Sequence, residues 1–531
     1  MNRGSESVRI GRVVANSGRD ILVLMDGAMG NRPAIRPSDN VMVHTDTEIT
    51  VGVVTGINAP APGLENTGDE LWIVQVELVG ALSSKGGEFT RGVSHPPSLG
   101  SVVHLATDDD LRTLYGGPDK TGLPIGHMPG RSSVNATVDA SRLVDGGFAV
   151  LGSSDSGKSS TLACIARALV RARFPSNILL IDPYNEFSRS FSKAATIIQP
   201  TAGQFPHWLL TGEEMAWVLS LNGGSLDRDE RSLLDEAIPF ARRNFLRRAG
   251  QESAAAAVDG PIPYRVTDLI SHVDKAGTAD NGRTLASCKR LRERIMSAIA
   301  DPRLSVLFGT AATADSLGNL MTDLFRLEGP PPMAVLQLGR VSEGIDRLIV
   351  AIVARLAAAL AEWSSTPRRT LLLIDNMERY APAELQDNVS AFSRKELRVL
   401  GGRPRKLGLS LGFTASSPRL VERELLMRSN TMFLHRMPSP LDADAVEEVL
   451  PEPAPATVDS LPALGAREAV GVGAGMSFSG RIEMSELPEV AVPGARSKPH
   501  DQAEPDDAES IVNRWRHAGA GEGYAASVAT G

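Results

Sequence analysis

The residues best suited to chemistry form one glycine-rich run, Gly152-Ser153-Ser154-Asp155-Ser156-Gly157-Lys158-Ser159. This run fits the pattern G-x-x-x-x-G-K-[ST], in which successive backbone N–H groups surround the phosphates of a nucleotide. In such loops the lysine reaches the β- and γ-phosphates, and the final hydroxyl binds Mg²⁺. We therefore predict that this run and the adjoining Ser160 bind ATP, with Lys158 on the phosphates and Ser159 on Mg²⁺.

The segments on either side of the run are those that the chemistry needs. Gly147-Phe148-Ala149-Val150-Leu151 is a short apolar segment, typical of a buried strand. Residues 161–171 place apolar side chains at helical spacing, so we expect a helix whose N-terminus adds partial positive charge at the phosphates. The alternative is a Gly/Ser-rich turn that fits the pattern by chance, and the two flanking segments argue against it.

Acidic residues follow two further apolar runs. Asp375 comes after Leu371–Ile374, and Asp182 comes after Ile178–Ile181. A P-loop needs a carboxylate at the end of a second strand for its Mg²⁺, so we predict Asp375 as a metal ligand; the alternative is an aspartate that caps a turn. Glu186 is predicted to contact the nucleotide or to position water, unless it only supplies charge at a helix N-terminus.

The composition limits the class of protein. The chain has 531 residues, 42% of them hydrophobic, and a net charge of -8, so we expect two or three folded domains, and nucleic-acid binding would need a local basic surface. Two cysteines exclude a disulfide framework and no signal peptide is visible, so we expect a cytoplasmic protein. The most apolar stretch, 345–363, contains Asp346, Arg347 and Arg355 and is predicted as a core helix instead of a membrane span.

The spacing of strand and helix signals divides the chain into three parts. Residues 1–107 hold short β-rich runs between turns, which indicates a small closed barrel with a docking or assembly role. Residues 108–487 alternate apolar strands and helices, the α/β pattern of a mostly parallel sheet, with a helical insertion at about 205–325. Residues 488–531 are predicted as a flexible tail, in which 510–517 forms either a short docking helix or a frayed terminus.

The expected elements can be placed more closely. The strands of the barrel are predicted at 8–14, 21–25, 41–44, 51–57, 71–78 and 102–105, and those of the α/β core at 148–151, 178–181, 334–338, 371–374, 409–414 and 432–434. The insertion is predicted as helices at 213–219, 228–249, 267–276 and 285–300, the second of them kinked or broken by Pro239.

Besides the P-loop, the chain carries a series of short motifs in a fixed order. They are Ile10–Val14, Val51–Gly56, Ile125–Met128, Asp182–Phe187, Asp375 with Arg379–Pro382, Arg403–Leu411, Pro418, Leu425–Leu426, Asn430–Thr431 and His435–Arg436. This series resembles the HerA-type ATPases within the HerA/FtsK group of P-loop ATPases. The resemblance covers nearly everything before the tail, and its N-terminal part is similar to the small HAS-like barrel, the assembly domain of that family.

The resemblance implies a ring of identical subunits, commonly a hexamer, with ATP between subunits and duplex DNA through the central pore. It also implies a partner nuclease or another effector protein beside the ring. An arginine of the neighbouring subunit would stabilise charge on the transferring phosphoryl group. By motif position Arg405 is the first candidate for this role and Arg436 the second, and each could instead be a surface arginine.

Three positions depart from the pattern of the family. Asp155 stands where the family places Gly inside the phosphate loop; aspartate can adopt the left-handed conformation, but its charge would lie close to phosphate unless it points outward. Asn376 stands where the family has its catalytic Glu, and Ser416 where it has Gln. Since an amide orients water without accepting a proton, we expect intact ATP binding and weakened hydrolysis. Glu186 or Glu378 could replace the missing base.

Two basic stretches are candidates for DNA contact. One spans Arg283 to Arg294, and the other spans Arg394 to Lys406. Both alternate with apolar residues, so a solvated helix face is the stronger interpretation of each. In a ring, however, one basic loop repeats in every subunit and would form a collar around the phosphate backbone.

The predicted function is therefore an ATP-dependent translocase of double-stranded DNA that acts with a nuclease or another effector. The leading alternative is an oligomeric scaffold in which ATP stabilises a ring that recruits an effector, with little or no turnover; Asn376 and Asp155 favour it. A kinase that acts on a small molecule is weaker, because no motif for a second substrate is visible. Turnover that duplex DNA stimulates separates the first interpretation from the other two.

Overall fold

The computed structural model of the chain describes residues 7–26, 33–45, 48–58, 72–83, 89–118, 120–250, 260–278, 285–309, 315–385, 387–452, 458–494, 508–510 and 512. By its internal contacts the chain divides into two compact units. The first unit comprises residues 1–174, 414–419 and 426–486, and the second comprises residues 175–413, 420–425 and 487–531.

The strands of the described chain are numbered in chain order. They are β1 Arg9–Asn16, β2 Asp20–Met25, β3 Asn40–His44, β4 Glu48–Asn58, β5 Ile73–Ser83, β6 Phe89–Arg91, β7 Val102–Leu105, β8 Gly122–Met128, β9 Arg131–Asp139, β10 Phe148–Leu151, β11 Asn177–Asp182, β12 Thr196–Ile198, β13 Met333–Gln337, β14 Thr370–Ile374, β15 Leu409–Ala415, β16 Thr431–Leu434, β17 Glu468–Gly473 and β18 Gly480–Met484.

The α-helices are numbered in the same way. They are α1 Asp108–Tyr115, α2 Ala140–Gly146, α3 Lys158–Arg171, α4 Ser188–Phe191, α5 Gly212–Ser220, α6 Arg228–Arg248, α7 Val266–Thr278, α8 Leu285–Ala300, α9 Ser305–Phe308, α10 Leu317–Phe325, α11 Ile345–Trp363, α12 Asn388–Leu400, α13 Arg403–Lys406, α14 Arg423–Met427 and α15 Pro440–Glu447. Among the helices of the described residues, none has the length and apolar character that crossing a membrane requires.

Strands β1 to β7 make the barrel of the first unit. β1, β2, β5, β4, β3 and β7 pair antiparallel in that order and β7 returns to β1, so six strands close, while β6 extends β5 as a hairpin. Alternate side chains, such as Ile21, Val23 and Met25 of β2, are buried in one apolar core. Closure pairs each of the six strands on both sides and so removes exposed edges. The predicted closed barrel is confirmed.

The first unit also carries the strand that precedes the P-loop. β10 pairs in parallel with β16, and β17, β18, β8 and β9 continue from β16 as an antiparallel run. Every residue of β10 is buried, as expected for a parallel strand that is covered on both faces. The sequence does not predict β8, β9, β17 or β18, because glycine, proline and polar residues interrupt their apolar pattern.

Five parallel strands form the core of the second unit, in the order β12, β13, β11, β14 and β15. β13 and β14 are buried along their whole length, and the register pairs Ile181 of β11 with Ile374 of β14. Since parallel strands bring their carboxyl ends to one edge, the residues after Ile181 and Ile374 lie side by side. The mostly parallel sheet with helices that the sequence predicts for the P-loop core is confirmed.

Helices occupy the second unit between residues 212 and 325. α5 to α8 begin and end within two residues of the bounds that the sequence predicts. Pro239 does not end α6, which runs through it for 21 residues. A capping box of Asp227 and Glu230 starts this helix, and a buried apolar stripe runs on both sides of the proline. The break that Pro239 predicts therefore does not occur, because tertiary packing outweighs the lost hydrogen bond.

Residues 487–494 pack on the second unit. They contain a 3₁₀ turn at Glu489–Ala491, and Ala491 is buried. The N–H of Gly494 donates to the carbonyl oxygen of Glu186, with an N···O distance of 3.2 Å. Most of the helix that the sequence predicts at 510–517 lies outside the described residues.

His207 is a buried histidine of the second unit. Its imidazole stacks on the ring of Phe308 with the ring centroids 5.2 Å apart, and it meets the ring of Tyr264 edge-on at 4.9 Å. Nε2 lies 3.2 Å from the carbonyl oxygen of Tyr264. Burial lowers the pKa of His207 to about 4, so the imidazole is neutral in the folded protein at neutral pH.

We predict that the contribution of His207 to stability falls as the pH drops from about 6.5 to about 4. In that interval the unfolded chain binds a proton that the folded chain excludes, so the loss reaches roughly 3 kcal/mol at the acid end. Urea unfolding of the wild type and of His207→Gln at pH 7.5 and 5.0 measures how the free energy of unfolding of each protein depends on pH. The variant should be less stable at pH 7.5 but less sensitive to pH, and equal pH dependence in the two proteins would contradict the neutral imidazole.

Candidate nucleotide-binding site

The glycine-rich run of the first unit forms a tight loop between β10 and α3. Asp155 has a left-handed backbone, φ 58°, with an exposed side chain, and Gly157 has φ 103°. α3 begins at Lys158, directly after Gly157, and no side chain caps it at that position. A helix N-terminus of this kind favours an anion, because its N–H groups and its dipole both carry partial positive charge.

Lys158 lies across this loop. Its Nζ donates to the carbonyl oxygen of Ser153 at 2.9 Å, and its side chain is buried. The ammonium group is therefore held at the loop, where the sequence pattern places it for the β- and γ-phosphates. The hydroxyl residues of the predicted site differ in exposure: Ser156 is buried, Ser159 and Ser160 are half-buried, and Ser154 is exposed.

The end of strand β16 is bonded to the start of the loop. His435 donates its N–H to the carbonyl oxygen of Leu151 at 2.7 Å. Ser153 donates both its N–H and its hydroxyl to the carbonyl oxygen of Arg436, each at 3.0 Å. The exposed side chain of Arg436 therefore begins beside the phosphate loop of its own subunit.

The sequence places His435 in a motif but predicts no role for its side chain. The residue is fully buried, and its Nε2 lies 2.9 Å from Oγ1 of Thr161 in the first turn of α3. Burial, and then the charge of Lys158, lowers the pKa of His435 to about 4, so the ring is neutral. The signal in the sequence is a histidine directly after the apolar strand Thr431–Leu434, where a polar residue needs a partner.

A buried carboxylate shapes the turn after β11 in the second unit. Asp182 accepts hydrogen bonds from the N–H groups of Glu186 and Phe187, both at 3.0 Å. Asn185 has φ 61°, and its amide oxygen accepts from the N–H of Gly339 at 3.0 Å. Asp182 is thus engaged in holding the turn, and the turn presents Glu186, which is half-buried.

Burial at this turn raises the pKa of two carboxyl groups, those of Asp182 and Glu186. Burial raises the pKa of Asp182, while the hydrogen bonds from Phe187 and Glu186 oppose the rise. Burial, and then the charge of Asp182, raises the pKa of Glu186. A carboxylate with a raised pKa accepts a proton more readily at neutral pH, so Glu186 is suited to general-base chemistry.

Asp375 and Asn376 follow β14 at the same edge of the sheet as Asp182. The N–H of Asp375 donates to the carbonyl oxygen of Ile181 at 3.2 Å, which places Asp375 beside the end of β11. Asp375 is buried, and Asn376 is half-buried with φ 56°. Asparagine tolerates this left-handed backbone better than glutamate, because its short side chain can bond locally. The residue in the position of the family's Glu therefore suits the backbone of this turn.

A second buried carboxylate fixes the turn after Asp375, and sequence reasoning missed it as well. Asp346, in the first turn of α11, accepts from Nε of Arg379 at 2.6 Å and from the N–H of Gly344 at 2.9 Å. Arg347 donates from Nε to the carbonyl oxygen of Arg379 at 3.2 Å. These contacts tie the turn to α11, and their signal in the sequence is the pair of charged residues that opens a largely apolar helix.

Arg405 lies away from the sheet edge at which Asp375 follows β14. It belongs to α13, which precedes β15, whereas Asp375 follows β14, the parallel neighbour of β15. The five paired residues of these strands rise about 3.3 Å each, so roughly 16 Å separates the two edges. Arg405 therefore does not reach a phosphate at the Asp375 edge of its own subunit, and such a role needs another copy of the chain.

Most arginines of the two basic stretches form ion pairs within the second unit. On α8, Arg290 and Arg294 pair with Glu230 and Arg292 pairs with Asp274; on α12, Arg394 pairs with Glu422 and Arg398 pairs with Glu424. Arg290, Arg292 and Arg398 nevertheless keep about half of their side chains exposed, at 46%, 51% and 48%. Besides these paired arginines, the described residues of the stretches include four further exposed cations, Lys289, Lys395, Arg403 and Lys406. Arg283 lies outside the described residues.

Each of the two units holds residues of the kinds that bind a nucleotide or Mg²⁺. A Cβ added at Gly152 would come within 2.6 Å of Cβ of His435, so the loop backbone requires glycine there. The hydroxyl of Ser159 and the carboxylate of Asp375 are hard oxygen ligands, the kind that Mg²⁺ prefers. Ser159 belongs to the first unit and Asp375 to the second.

Comparisons with known proteins show which proteins the chain is similar to. Residues 123–357 match the family model described as helicase HerA, central domain. A probable DNA double-strand break repair helicase HerA of Methanocaldococcus jannaschii is 22% identical over 454 residues, which cover 79% of this chain and 86% of the relative. A DNA double-strand break repair helicase HerA of Pyrococcus furiosus is 20% identical over 482 residues, covering 82% and 83%.

A solved structure with a similar backbone is VirB4 of Thermoanaerobacter pseudethanolicus. It covers 70% of this chain and 99% of its own, with 18% identity and a TM-score of 0.47. The family is carried by the sequence matches, which confirm the resemblance inferred from the motifs. The chain therefore resembles the HerA helicases, and its residues 123–357 match the model of their central domain.

Proposed function

We propose that the chain is an ATP-dependent translocase of double-stranded DNA, helicase-like, that works as a hexameric ring and drives or gates a partner nuclease or another effector. The observation that carries the proposal is the phosphate loop, in which the buried Lys158 bonds to Ser153 and the end of β16 is bonded to the loop's start. The two HerA relatives are named as DNA repair helicases, which supports DNA as the track.

The glycine-rich run of the first unit would bind the nucleotide. Gly152 to Ser160 would surround the phosphates of ATP, with Lys158 on the β- and γ-phosphates. Ser159 and Asp375 would hold Mg²⁺, which when bound neutralises charge that develops on the phosphate oxygens. Arg436, which begins beside the loop, would act on the same nucleotide, and Arg405 would act on the nucleotide of a neighbouring subunit.

The residues after β11 and β14 would handle water. Asn376 would orient the attacking water through its amide, and Glu186 would accept the proton, because its raised pKa makes it the stronger base. Phosphoryl transfer depends chiefly on positioning and on stabilisation of charge, so an orienting amide can support turnover. Hydrolysis should therefore be slower than with a carboxylate at position 376, without being abolished.

The DNA contacts would be to the phosphate backbone. The chain as a whole is acidic, with a net charge of -8, so binding depends on a local repeat of cations. Lys289, Lys395, Arg403 and Lys406 are exposed and would be repeated in every subunit of a ring. Binding of this kind is insensitive to base sequence and weakens with salt.

A second candidate function is an oligomeric scaffold that binds ATP and recruits an effector with little or no turnover. Two observations favour it. Asn376 cannot accept a proton, and Asp155 places a negative charge in the phosphate loop. Both changes affect hydrolysis or affinity and leave Lys158 in place, so binding without turnover is consistent with them.

We predict steady-state ATP hydrolysis that duplex DNA stimulates and that Lys158→Ala reduces at least about 100-fold, since the lysine stabilises the charge of the transferred phosphoryl group. The rate is measured with and without DNA, and the variant controls for contaminating ATPases. Tight ATP binding with no turnover in either condition would contradict the translocase and favour the oligomeric scaffold.

We also predict that Asn376→Gly lowers kcat at least about tenfold, because it removes the group that orients water. Glycine adopts the left-handed backbone freely, so the melting temperature should stay close to that of the wild type. Asn376→Asp is the matched variant, because it keeps the size of the side chain and supplies a carboxylate, and it should retain or raise the rate. A rate for Asn376→Gly equal to that of the wild type would remove Asn376 from the mechanism.

Asp155→Asn should bind ATP about threefold or more tightly at low salt, because it removes a negative charge near the phosphates. Asparagine keeps both the size of the side chain and the tolerance of a left-handed backbone. The gain should shrink in 1 M salt, where the screening length is about 3 Å. Titrations with ATP at both salt concentrations measure it, and an unchanged affinity at low salt would mean that the carboxylate points away from the nucleotide.

A further inference from the structure

We propose that His435 is a positioning residue for the phosphate loop. Its imidazole acts through the loop instead of on the nucleotide, and it fixes the two glycines of the loop and the first turn of α3 in the shape that receives phosphate. The inference rests on the proposed function, because it deepens the role of the ATP loop.

The side chain of His435 contacts both ends of the phosphate loop. A Cβ added at Gly152 would come 2.6 Å from Cβ of His435, and one added at Gly157 would come 3.6 Å from its Cε1. The first and the last glycine of the loop therefore both lie against the same side chain. The backbone N–H of His435 donates to Leu151, so the contact begins at the residue before the loop.

The polar end of the ring reaches the helix that carries Lys158 and Ser159. Nε2 lies 2.9 Å from Oγ1 of Thr161, which is itself buried. The N–H of Thr161 donates to the carbonyl oxygen of Gly157 at 2.9 Å, so the hydrogen bond between Thr161 and the ring acts on the turn that joins loop and helix. Burying a polar ring is unfavourable unless it bonds, and here the bond orients the element that holds the phosphate ligands.

The charge state of the ring agrees with this role. Burial, followed by the charge of Lys158, lowers the pKa of His435, and an imidazolium would repel the lysine that the loop must keep. An apolar residue at position 435 would fill the space but leave Thr161 without its bond. Glutamine would fill less of the space, but its amide can reach the same hydroxyl.

The different abilities of leucine and glutamine to bond to Thr161 allow a direct test. The affinity of the full chain for a fluorescent ATP analogue with Mg²⁺ is measured at pH 7.5, with thermal unfolding in the absence of nucleotide as a second readout. The test variants are His435→Leu, His435→Gln and Thr161→Val. His207→Gln is the matched control, because His207 is an equally buried histidine with an equally lowered pKa in the second unit.

We expect His435→Leu to weaken binding at least about tenfold and Thr161→Val about threefold or more, because both remove the bond that orients the first turn of α3. His435→Gln should stay within about threefold of the wild type, since it can restore that bond. His207→Gln should lower the melting temperature and leave the affinity unchanged.

Three results would overturn the inference. One is a folded His435→Leu variant with the affinity of the wild type, and another is a loss of affinity in every variant, His207→Gln included, in proportion to its loss in melting temperature. If His435→Leu does not fold, Thr161→Val decides, and wild-type affinity in it counts against the role. A wild-type chain that binds no better than Lys158→Ala overturns the proposed function and this inference with it, whereas tight binding that His435→Leu retains overturns the inference alone.

Discussion

The backbone at the carboxyl ends of the parallel strands is the constraint on which the rest of the structure depends. A chain that leaves a buried parallel strand must turn at once, and here three such turns contain a non-glycine residue with a left-handed backbone, Asp155, Asn185 and Asn376. That conformation costs most residues about 1–2 kcal/mol and costs asparagine and aspartate less. The left-handed backbone of these turns therefore explains why aspartate or asparagine stands at each position. The same turns contain the residues that could act on a nucleotide.

Each turn is held by a polar side chain that is buried behind it. Asp182 bonds to the N–H groups of the turn after β11, Asp346 bonds to Arg379 in the turn after β14, and His435 bonds to Thr161 behind the phosphate loop. A buried polar group is unfavourable unless it finds a partner, and removing the partner exposes the full cost of its burial. The same contacts therefore stabilise the fold and fix the geometry of the candidate site.

The structure gives a physical reason for two of the three departures from the family pattern, Asp155 and Asn376. Asp155 and Asn376 both adopt conformations that short polar side chains tolerate, so neither position is strained in this chain. The proposed function makes both a matter of charge: Asp155 would add a carboxylate near the phosphates, and Asn376 would lack the carboxylate that activates water. Burial, and then the charge of Asp182, raises the pKa of Glu186, which makes Glu186 a candidate base in the second unit that does not depend on position 376.

The sequence predicts the features that depend on residues close together in the chain. The P-loop, the bounds of α8 and most strands of the barrel follow from local spacing, which is why they could be placed. Contacts between distant residues could not be placed, since Thr161 and His435 are 274 residues apart and Asp346 and Arg379 are 33 apart. Arg405 illustrates the same limit: its motif position indicates a role, but only the direction of β15 shows that it lies at the opposite edge from Asp375.

The central claim is that ATP turnover moves the protein along duplex DNA, and displacement of a third strand tests it most directly. A duplex that carries a bound third strand some distance from a free end is incubated with the full chain and ATP, and release of the third strand is followed over time. The account predicts release that requires ATP, slows with salt and is absent in Lys158→Ala. A chain that binds ATP and duplex DNA but releases no third strand would contradict the translocase and leave the ATP-bound scaffold as the function.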